Sequence, residues 1–330
     1  AVAVEQWQVD QLIESANLAR SLGESVEFLD SQAVKEQVHS PTYLAGLWNR
    51  DSTLMLDPGK LVNGLQEAVT SLGVTIFENS PVTDLEKSGN KILVSTKSGK
   101  ISADRVVVAT NAFNPVLRKM RRYVIPVYDH VLVSEPLSGS QLKSLNWLNR
   151  QGVGDSGNQF HYYRLTKENR ILWGGYDAHY HFGSRMGPEV ESNDQTCGML
   201  AKHFFETFPQ LEGLSFTHKW SGPIGTTTRF SCSWGSSHNG QVSWAVGYTG
   251  LGVGASRFGA QVALDLVDGI ATERTELEMV RKKPFPFPPE PFRWLGVQIT
   301  SSMMKRSDRN EGRRGLWLKL LDRFGIGFDS

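Results

Sequence analysis

The chain has 330 residues, of which 39% are hydrophobic and 21% are charged, and its formal net charge is +1. This length accommodates two domains, or one domain with a substantial insertion. The near-neutral charge argues against a dedicated nucleic-acid binder, which usually carries a basic excess. No apolar run approaches the ~20 residues that a membrane-spanning helix needs. The two cysteines, Cys197 and Cys232, predict no disulfide framework and favour a reducing, cytoplasmic compartment.

The first quarter of the chain predicts two helices. Residues 4–22 carry apolar side chains at near-helical spacing and end at Gly23. A second helix is predicted to begin at Asp57-Pro58, because Asp is a good N-cap and Pro suits the first helical position. Its apolar residues are expected to form one buried stripe: Leu61, Val62, Leu65, Ala68, Val69 and Leu72.

From Val74 the apolar period changes to two, which is typical of strands. Strands are predicted at 74–77, 92–96 and 105–109, separated by turns rich in Asn, Gly and Ser. Residues 127–133 are also interpreted as an alternating pattern of side chains, which predicts a further strand.

Later segments predict a hairpin, two helices and a tail. The hairpin is predicted around a turn at 167–169, and the helices at 193–208 and near 316–324. His179 and His181 would share one strand face, but no third ligand stands at a recognisable spacing, so no metal site is predicted. The basic residues after 304 are interpreted as a solvated tail docked on the body, although a membrane surface or nucleic acid is an alternative partner.

The most distinctive stretch is 244–269. A short apolar run, Trp244 to Val246, predicts a buried strand, and a glycine-rich turn follows it. Apolar residues at helical spacing come next, and Gly269 is predicted to cap the helix at its C-terminus. This order places backbone N–H groups and the positive end of a helix beside a ligand. The alternative is tight packing between helix and strand without a ligand.

The letters GYTGLGVGAS, followed by a helix ending in DLVDG, resemble the last cofactor-domain segment of the D-amino-acid-oxidase-like FAD oxidoreductases. That family includes glycine, sarcosine and glutamylputrescine oxidases. The resemblance implies a mixed α/β and α+β fold, with a Rossmann-like, three-layer FAD-binding domain and an inserted, mainly antiparallel-sheet substrate domain. In such proteins this loop lies at the pyrimidine end of the flavin. The implied cofactor contacts are Gly247, Gly250, Gly252, Val253 and Gly254, while Leu251 replaces a His that many relatives carry.

Other segments resemble the same family and imply further contacts. PVTDLE resembles the segment that meets the adenine, which implies Val82, and ATNAF resembles a strand end near the diphosphate, which implies Thr110 and Asn111. For those two residues the alternative is a turn that caps a strand. The substrate contacts implied by the resemblance are Tyr162, Tyr163, Arg164 and Arg229. Strand alternation allows only some of them to face the substrate, and packing tyrosines with an exposed Arg are the alternative.

The domain division that follows from the resemblance assigns 1–53 and 125–235 to the substrate domain. The FAD-binding domain would comprise 54–124 and 236–275, and 276–330 would be a tail packed on the body. Family members begin with a GxGxxG unit that holds the ADP half of FAD, and this chain has none. The FAD-binding domain is therefore expected to be incomplete, and the chain either a fragment or the partner of another chain. Alone, it is expected neither to retain FAD nor to oxidise amines, and addition of the missing GxGxxG segment is expected to restore both.

The implied activity is oxidation of the C–N bond of a primary or secondary amine, or of an amino acid, by hydride transfer to FAD. Oxygen or another acceptor would reoxidise the flavin. FAD is expected to bind non-covalently, because the sequence around Cys232 does not match the attachment cysteine of the sarcosine-oxidase branch. The absence of arginine from 247–250 favours an amine over an amino acid, while Arg164 and Arg229, as possible partners of a carboxylate, keep an amino acid open. No catalytic acid or base is evident. A non-catalytic binding module and an FAD-linked hydroxy-acid or glycerol-phosphate dehydrogenase are the alternatives.

Overall fold

The computed structural model describes residues 1–51, 53–113 and 116–327. The strands are β1 (Val2–Ala3), β2 (Val26–Leu29), β3 (Ala45–Asn49), β4 (Val82–Ser88), β5 (Lys91–Thr96), β6 (Lys100–Ala103), β7 (Val106–Val108), β8 (Ile125–Ser134), β9 (Val153–Gly154), β10 (His161–Leu165), β11 (Ile171–Gly175), β12 (Phe216–Thr226), β13 (Ser233–Ser237) and β14 (Val242–Val246). The helices are α1 (Gln6–Ser21), α2 (Ser31–Gln37), α3 (Pro58–Ser71), α4 (Gly139–Leu145), α5 (Pro188–Glu191), α6 (Asp194–Thr207), α7 (Gly252–Asp268), α8 (Glu273–Glu276), α9 (Glu278–Arg281), α10 (Phe292–Arg309) and α11 (Leu316–Arg323).

The described strands form four sheets. Their strand orders are β1-β3-β2, β12-β8-β11-β10-β9, β13-β14-β7 and β4-β5-β6. The β14–β7 pair is parallel, and the other pairs within these sheets are antiparallel. This mixture of a layered cofactor domain and an antiparallel-sheet domain confirms the fold class expected from the sequence. No helix among the described residues has the length and apolar character needed to cross a membrane.

The five-stranded sheet buries one face and leaves the other more open. On its buried face Trp173 of β11 packs edge-on against Phe204 and Phe208, which α6 and its C-terminus supply. Residues from β1, β2 and α2 belong to the same apolar cluster, so the start of the chain and this sheet share one core. Apolar side chains at alternate positions of β10 and β11 create this arrangement, because successive residues of a strand face opposite sides.

The three-stranded sheet β13-β14-β7 is the middle of three layers. Val242, Trp244 and Val246 face the β4-β5-β6 meander and pack in one cluster with Ile92. On the other face Ala245 packs against α7. Every residue of β14 is buried, which explains why its sequence is a continuous apolar run with one serine rather than an alternating pattern.

The C-terminal segment after α9 crosses to the five-stranded sheet. The carboxylate of Asp308 accepts hydrogen bonds from the backbone N–H groups of Asn158 and Gln159, at 3.1 and 2.9 Å. Lys305 forms an ion pair with Asp177 at 2.6 Å. Both residues lie on α10, a helix that the sequence analysis missed because its apolar side chains follow no continuous stripe.

The structure moves one proposed domain boundary. β13, which begins at Ser233, pairs with β14, so it belongs to the three-layer domain rather than to a substrate domain that ends at residue 235. We retain the division into substrate domain, FAD-binding domain and tail as a proposal, with this boundary placed before Ser233.

Two expectations about the region after residue 57 are wrong. Helix α3 begins as predicted, with Asp57 accepting from the N–H of Lys60 and Pro58 in the first turn, but none of its residues is buried. Its apolar residues Leu61, Val62, Leu65 and Leu72 are exposed, because no described element covers that face. Residues 74–77 form no strand, since extended backbone becomes a strand only where another strand pairs with it.

His130 on β8 is a buried histidine whose imidazole ring has no hydrogen-bond partner in the described part of the chain. It is 1% exposed, and neither ring nitrogen has a partner. Burial, helped by the nearby His179 and His181, lowers the pKa of His130 from 6.5 to about 4. The folded protein therefore holds this ring neutral at pH values where the unfolded chain would protonate it.

We expect the free energy of unfolding to fall by up to about 3 kcal/mol as the pH drops from 6.5 to about 4. The sign follows from the lowered pKa: the unfolded state binds more protons in this interval. Urea unfolding of wild type and His130→Asn at several pH values measures this change in the free energy of unfolding. The variant should lose much of the pH dependence, whereas replacement of the exposed His218 should not; equal pH slopes in all three proteins would contradict the assignment.

Candidate functional site

The candidate cofactor site lies where three chain segments meet at the ends of β7, β12 and β14. Parallel pairing of β7 with β14 brings their carboxyl ends to one edge of the sheet. There the side-chain oxygen of Asn111 accepts a hydrogen bond of 2.8 Å from the N–H of Gly247. The N–H of Thr249 donates to the carbonyl of Gly225 at 2.9 Å. Asn111 thus holds the glycine loop in place, with a left-handed φ of 46° that Asn tolerates better than most residues.

The three segments approach one another so closely that two positions of the junction require glycine. A Cβ added to Gly225 would lie 2.4 Å from the side-chain oxygen of Asn111. Gly247 has φ +81°, and an added Cβ would lie 2.3 Å from the methyl group of Thr227. Any side chain at either position would push the three segments apart.

The first turn of α7 is open on its ligand-facing side. Its N-cap residue, Leu251, makes no capping hydrogen bond, and the first turn carries no acidic residue. The first N–H groups of a helix have no intrahelical acceptor, so here they remain available to a ligand. A Cβ added to Gly254 or to Gly250 would meet no heavy atom within 4 Å, which shows free space above the loop. Val253 is 50% exposed in the same turn.

Thr110 supplies an independent sign of a missing partner. Its hydroxyl oxygen is buried and has no hydrogen-bond partner among the described residues. Buried hydroxyl groups are normally hydrogen-bonded. Thr110 directly precedes Asn111, so a polar atom of a ligand at this junction would satisfy it. The residues present therefore fit a cofactor with polar atoms in this place.

Val82 is not joined to this junction by the contacts described above. It begins β4 in the meander, pairs with Thr96 and is 39% exposed. Its proposed contact with the adenine rests on the resemblance alone.

The four proposed substrate residues separate into two facing the open side of the sheet and two elsewhere. On β10, Tyr162 and Arg164 share the open face, whereas Tyr163 is 2% exposed in the core and hydrogen-bonds the hydroxyl of Tyr43 at 2.7 Å. Burial raises the pKa of Tyr163 well above its usual value. Because adjacent strand residues face opposite sides, Tyr163 cannot share a site with Tyr162, and we withdraw it from the substrate contacts.

The two arginines are engaged by backbone carbonyls. Arg164 donates to the carbonyl of Leu56 at 2.5 Å. Arg229 donates to the carbonyls of Cys232 and Met279, at 3.2 and 3.1 Å, and burial lowers its pKa. These contacts place Arg229 against α9 and the start of β13. They use one terminal nitrogen of Arg229, Nη2, while its buried Nε has no hydrogen-bond partner among the described residues.

An acidic residue that the sequence pattern did not single out lies on the open face. Asp129 of β8 accepts a hydrogen bond of 2.6 Å from the hydroxyl of Tyr162 and another of 2.8 Å from the N–H of His130. Burial raises the pKa of Asp129, while these hydrogen bonds oppose the rise. A signal was present in the sequence, since Asp129 is the one carboxyl group within the apolar strand 127–133.

The remaining candidates do not form a second centre. His179 packs edge-on against His130 and bonds the hydroxyl of Thr196 at 2.9 Å, and His181 packs edge-on against Tyr128, so both imidazoles lie beside the same face of β8. No group of three or more His, Cys, Asp or Glu in the described ranges has metal-binding geometry. The thiol of Cys232 is buried in the cluster below α7, and burial raises its pKa to about 12.

We expect Tyr163→Phe to lower the free energy of unfolding by about 1–2 kcal/mol, because it leaves the buried Tyr43 hydroxyl without its partner. The specificity constant of the FAD-loaded protein should stay within about twofold of wild type. Tyr162→Phe should show the opposite pattern: its effect on the specificity constant should be larger than its effect on the free energy of unfolding. Denaturant unfolding and steady-state kinetics of both variants measure the difference; a kinetic loss in Tyr163→Phe equal to that in Tyr162→Phe would restore Tyr163 to the site.

These layers and the glycine loop define the class of flavin-dependent oxidoreductases in which a cofactor domain meets an antiparallel substrate sheet. Residues 1–266 match the family described as FAD dependent oxidoreductase, and the chain belongs to that family. This confirms the resemblance on which the site residues were chosen. FAD is the cofactor of the family, whereas the manner of its binding here remains a proposal.

Two curated relatives have named activities. The chain is 31% identical over 281 residues to a probable oxidoreductase, OrdL, of Haemophilus influenzae, covering 81% of this chain and 60% of that protein. It is 27% identical over 288 residues to the gamma-glutamylputrescine oxidoreductase of Escherichia coli, covering 86% of this chain and 65% of that one. The chain therefore spans less than two thirds of the length of these relatives.

Solved structures show the same fold. Glycine oxidase from Geobacillus kaustophilus matches with a TM-score of 0.68 at 19% identity, over 82% of this chain and 70% of that one. L-proline dehydrogenase from P. horikoshii matches with a TM-score of 0.68 at 18% identity, over 82% of this chain and 72% of that one.

Proposed function

We propose that this chain forms part of an enzyme that oxidises the C–N bond of a primary or secondary amine, with FAD as cofactor. The observation that carries the proposal is the junction of Asn111 with Gly247, beside which lie an uncapped helix start and the unpartnered hydroxyl of Thr110, the residue before Asn111. Negative charge develops on the flavin when it accepts a hydride, and a helix N-terminus favours negative charge.

The chain's own residues would hold and orient the cofactor. Gly250, Gly252 and Gly254 allow the flavin to approach the backbone, and Val253 would contact the ring. Thr110 would donate its hydroxyl hydrogen to a polar atom of FAD. When bound, FAD supplies the hydride acceptor of the reaction.

We propose that FAD binds without a covalent bond to Cys232. The thiol packs among Trp234, Ala245 and Val262 beneath α7, on the face of the sheet that the helix covers. Its raised pKa disfavours the thiolate, which is the nucleophilic form. Denaturation by acid should therefore release all flavin into the supernatant.

An amine is favoured over an α-amino acid as substrate. The proposed carboxylate-binding arginines, Arg164 and Arg229, both donate to backbone carbonyls. The relatives are named for both chemistries, since one oxidises gamma-glutamylputrescine and another is a glycine oxidase. Oxygen or another small acceptor would reoxidise the flavin, and the two free cysteines are compatible with a cytoplasmic enzyme.

Anaerobic reduction of the flavin tests the proposal. The FAD-loaded protein is mixed without oxygen with amines, α-amino acids, 2-hydroxy acids or glycerol phosphate, and the visible absorbance of oxidised flavin is followed. Bleaching by at least one amine, with hydroxy acids inert, is expected. Bleaching only by alcohols would favour the hydroxy-acid alternative, and a protein that carries an added GxGxxG segment and still binds no FAD would favour a non-catalytic module.

A further inference from the structure

We propose that Asp129 and Tyr162 form a binding site for an ammonium group of the substrate. This inference rests on the proposed amine oxidation and names the chemical class of the substrate that the open face of the sheet recognises. Three features of the described residues support it: the hydrogen bonds of Asp129, its missing counter-ion and the space beside it.

The Asp129 carboxylate is held by neutral donors. It accepts hydrogen bonds from the hydroxyl of Tyr162 and from the N–H groups of His130 and Gly175. A carboxylate has about four acceptor positions, so one remains for a donor outside these three. The three donors fix the orientation of the carboxylate without neutralising its charge.

Asp129 has no cationic side chain beside it. No Lys or Arg of the described ranges forms an ion pair with this carboxylate, and both Asp129 and Tyr162 are half-buried. A partly desolvated charge without a counter-ion is costly, and an opposite charge from a ligand offsets that cost. An ammonium group supplies both the missing positive charge and the missing N–H donor.

Glycines on both neighbouring strands create the site. A Cβ added to Gly174 of β11 would lie 2.8 Å from the Tyr162 ring, so this glycine lets the tyrosine cross β11 and reach Asp129. On the other side Gly222 of β12 lies directly opposite Asp129, and an added Cβ there would meet no heavy atom within 4 Å. Directly opposed residues of an antiparallel pair share one face, so the space at Gly222 lies beside the carboxylate.

The same strand links this site to the cofactor loop. Gly225 lies three positions beyond Gly222 on β12, about 10 Å along the strand, and the two positions face opposite sides of it. Gly225 contacts Asn111 and its carbonyl binds the N–H of Thr249. A small molecule held by Asp129 would therefore lie about 10 Å along β12 from the loop proposed to hold the flavin.

A matched set of ligands tests the site without turnover. tert-Butylamine has no hydrogen on the carbon next to nitrogen, so it cannot be oxidised there; tert-butanol is its neutral counterpart and pivalate its anionic one. Binding to the FAD-loaded protein is followed by the change in flavin absorbance and by thermal stabilisation. Wild type is expected to bind the ammonium most tightly and pivalate least.

Asp129→Asn should weaken tert-butylammonium binding by about 10- to 100-fold, the loss of one charge-assisted hydrogen bond, and should not weaken tert-butanol binding. Asp194→Asn is the matched control, because it removes the same charge from an exposed position on α6. Unchanged ammonium affinity in Asp129→Asn, or preference of wild type for pivalate, would overturn the proposal.

A pH titration of wild type gives a second test if Asp129→Asn does not fold. The titratable groups facing Asp129 are Tyr162 and, through its charge, His179. tert-Butylammonium stays charged from about pH 8 to about pH 4, so its affinity should fall as Asp129 becomes protonated. An affinity for tert-butylammonium that does not change across this pH range would contradict the site. These measurements do not depend on turnover, so failure of the amine-oxidation proposal would appear separately, as absence of flavin bleaching by any amine.

Discussion

Replacing Gly247 with alanine is expected to lower the free energy of unfolding by about 2–5 kcal/mol and to release FAD. A left-handed φ costs a residue with a side chain about 1–2 kcal/mol, and forced contact in a packed region costs about 1–3 kcal/mol more. Both conditions hold here, since φ is +81° and the added methyl would lie 2.3 Å from the Thr227 methyl. The loop would have to move, and the N–H bonded to Asn111 would move with it.

The measurements for Gly247→Ala are urea unfolding and flavin content after gel filtration. Gly198→Ala is the matched control: Gly198 lies inside α6, and an added Cβ meets no heavy atom within 4 Å. The free energy of unfolding of that control should rise by up to about 1 kcal/mol, because alanine favours a helix more than glycine does. If Gly247→Ala kept both wild-type stability and full flavin content, the close packing assigned to Gly247 at this junction would be wrong.

Changes at Asn111 are expected to separate the stability of the junction from its affinity for FAD. Asn111→Ala removes the acceptor of the Gly247 N–H and places alanine in a left-handed conformation, at a total cost of about 2–4 kcal/mol. Asn111→Asp keeps an oxygen acceptor, so its stability should stay near wild type. Its added negative charge should weaken binding of the anionic cofactor by about tenfold or more.

Unfolding curves and FAD dissociation constants of the two Asn111 variants provide the comparison. We expect the alanine variant to lose stability and the aspartate variant to lose only affinity for FAD. Equal FAD affinity in Asn111→Asp and wild type would place the cofactor away from this residue.

Local features of the sequence were predicted well. β14, the glycine turn and α7 follow one another as expected, and Gly269 caps the helix in a left-handed conformation with φ 70°. These elements depend on neighbouring residues: an apolar run, glycines that permit positive φ, and a periodic helix face. The N-cap at Asp57 was predicted for the same reason.

Features that depend on distant residues were not predicted. The apolar stripe of α3 has the correct helical spacing, yet burial requires a partner surface that the helix sequence does not specify. Residues 74–77 have strand-like composition and no strand beside them. The sequence pattern also could not show that Arg229 is held by the carbonyls of Cys232 and Met279.

The site was predicted in part because family resemblance aligns positions but does not orient side chains. Asn111 meets the glycine loop, whereas Tyr163 faces the core next to Tyr162. Asp129 was missed because its significance arises from pairing with Tyr162, 33 residues later in the chain. Register between β8, β11 and β10, which only the fold determines, brings the two together.

Deuterium uptake by the peptide that covers Gly247 to Gly254, compared between the FAD-loaded protein and its apo form, tests the central claim most directly. The N–H groups of the first turn of α7 are proposed to face the flavin. FAD should therefore slow exchange in this peptide, and an α6 peptide on the far side of the five-stranded sheet should change little. Equal uptake in the two forms across Gly247 to Gly254, with protection appearing elsewhere, would contradict the account.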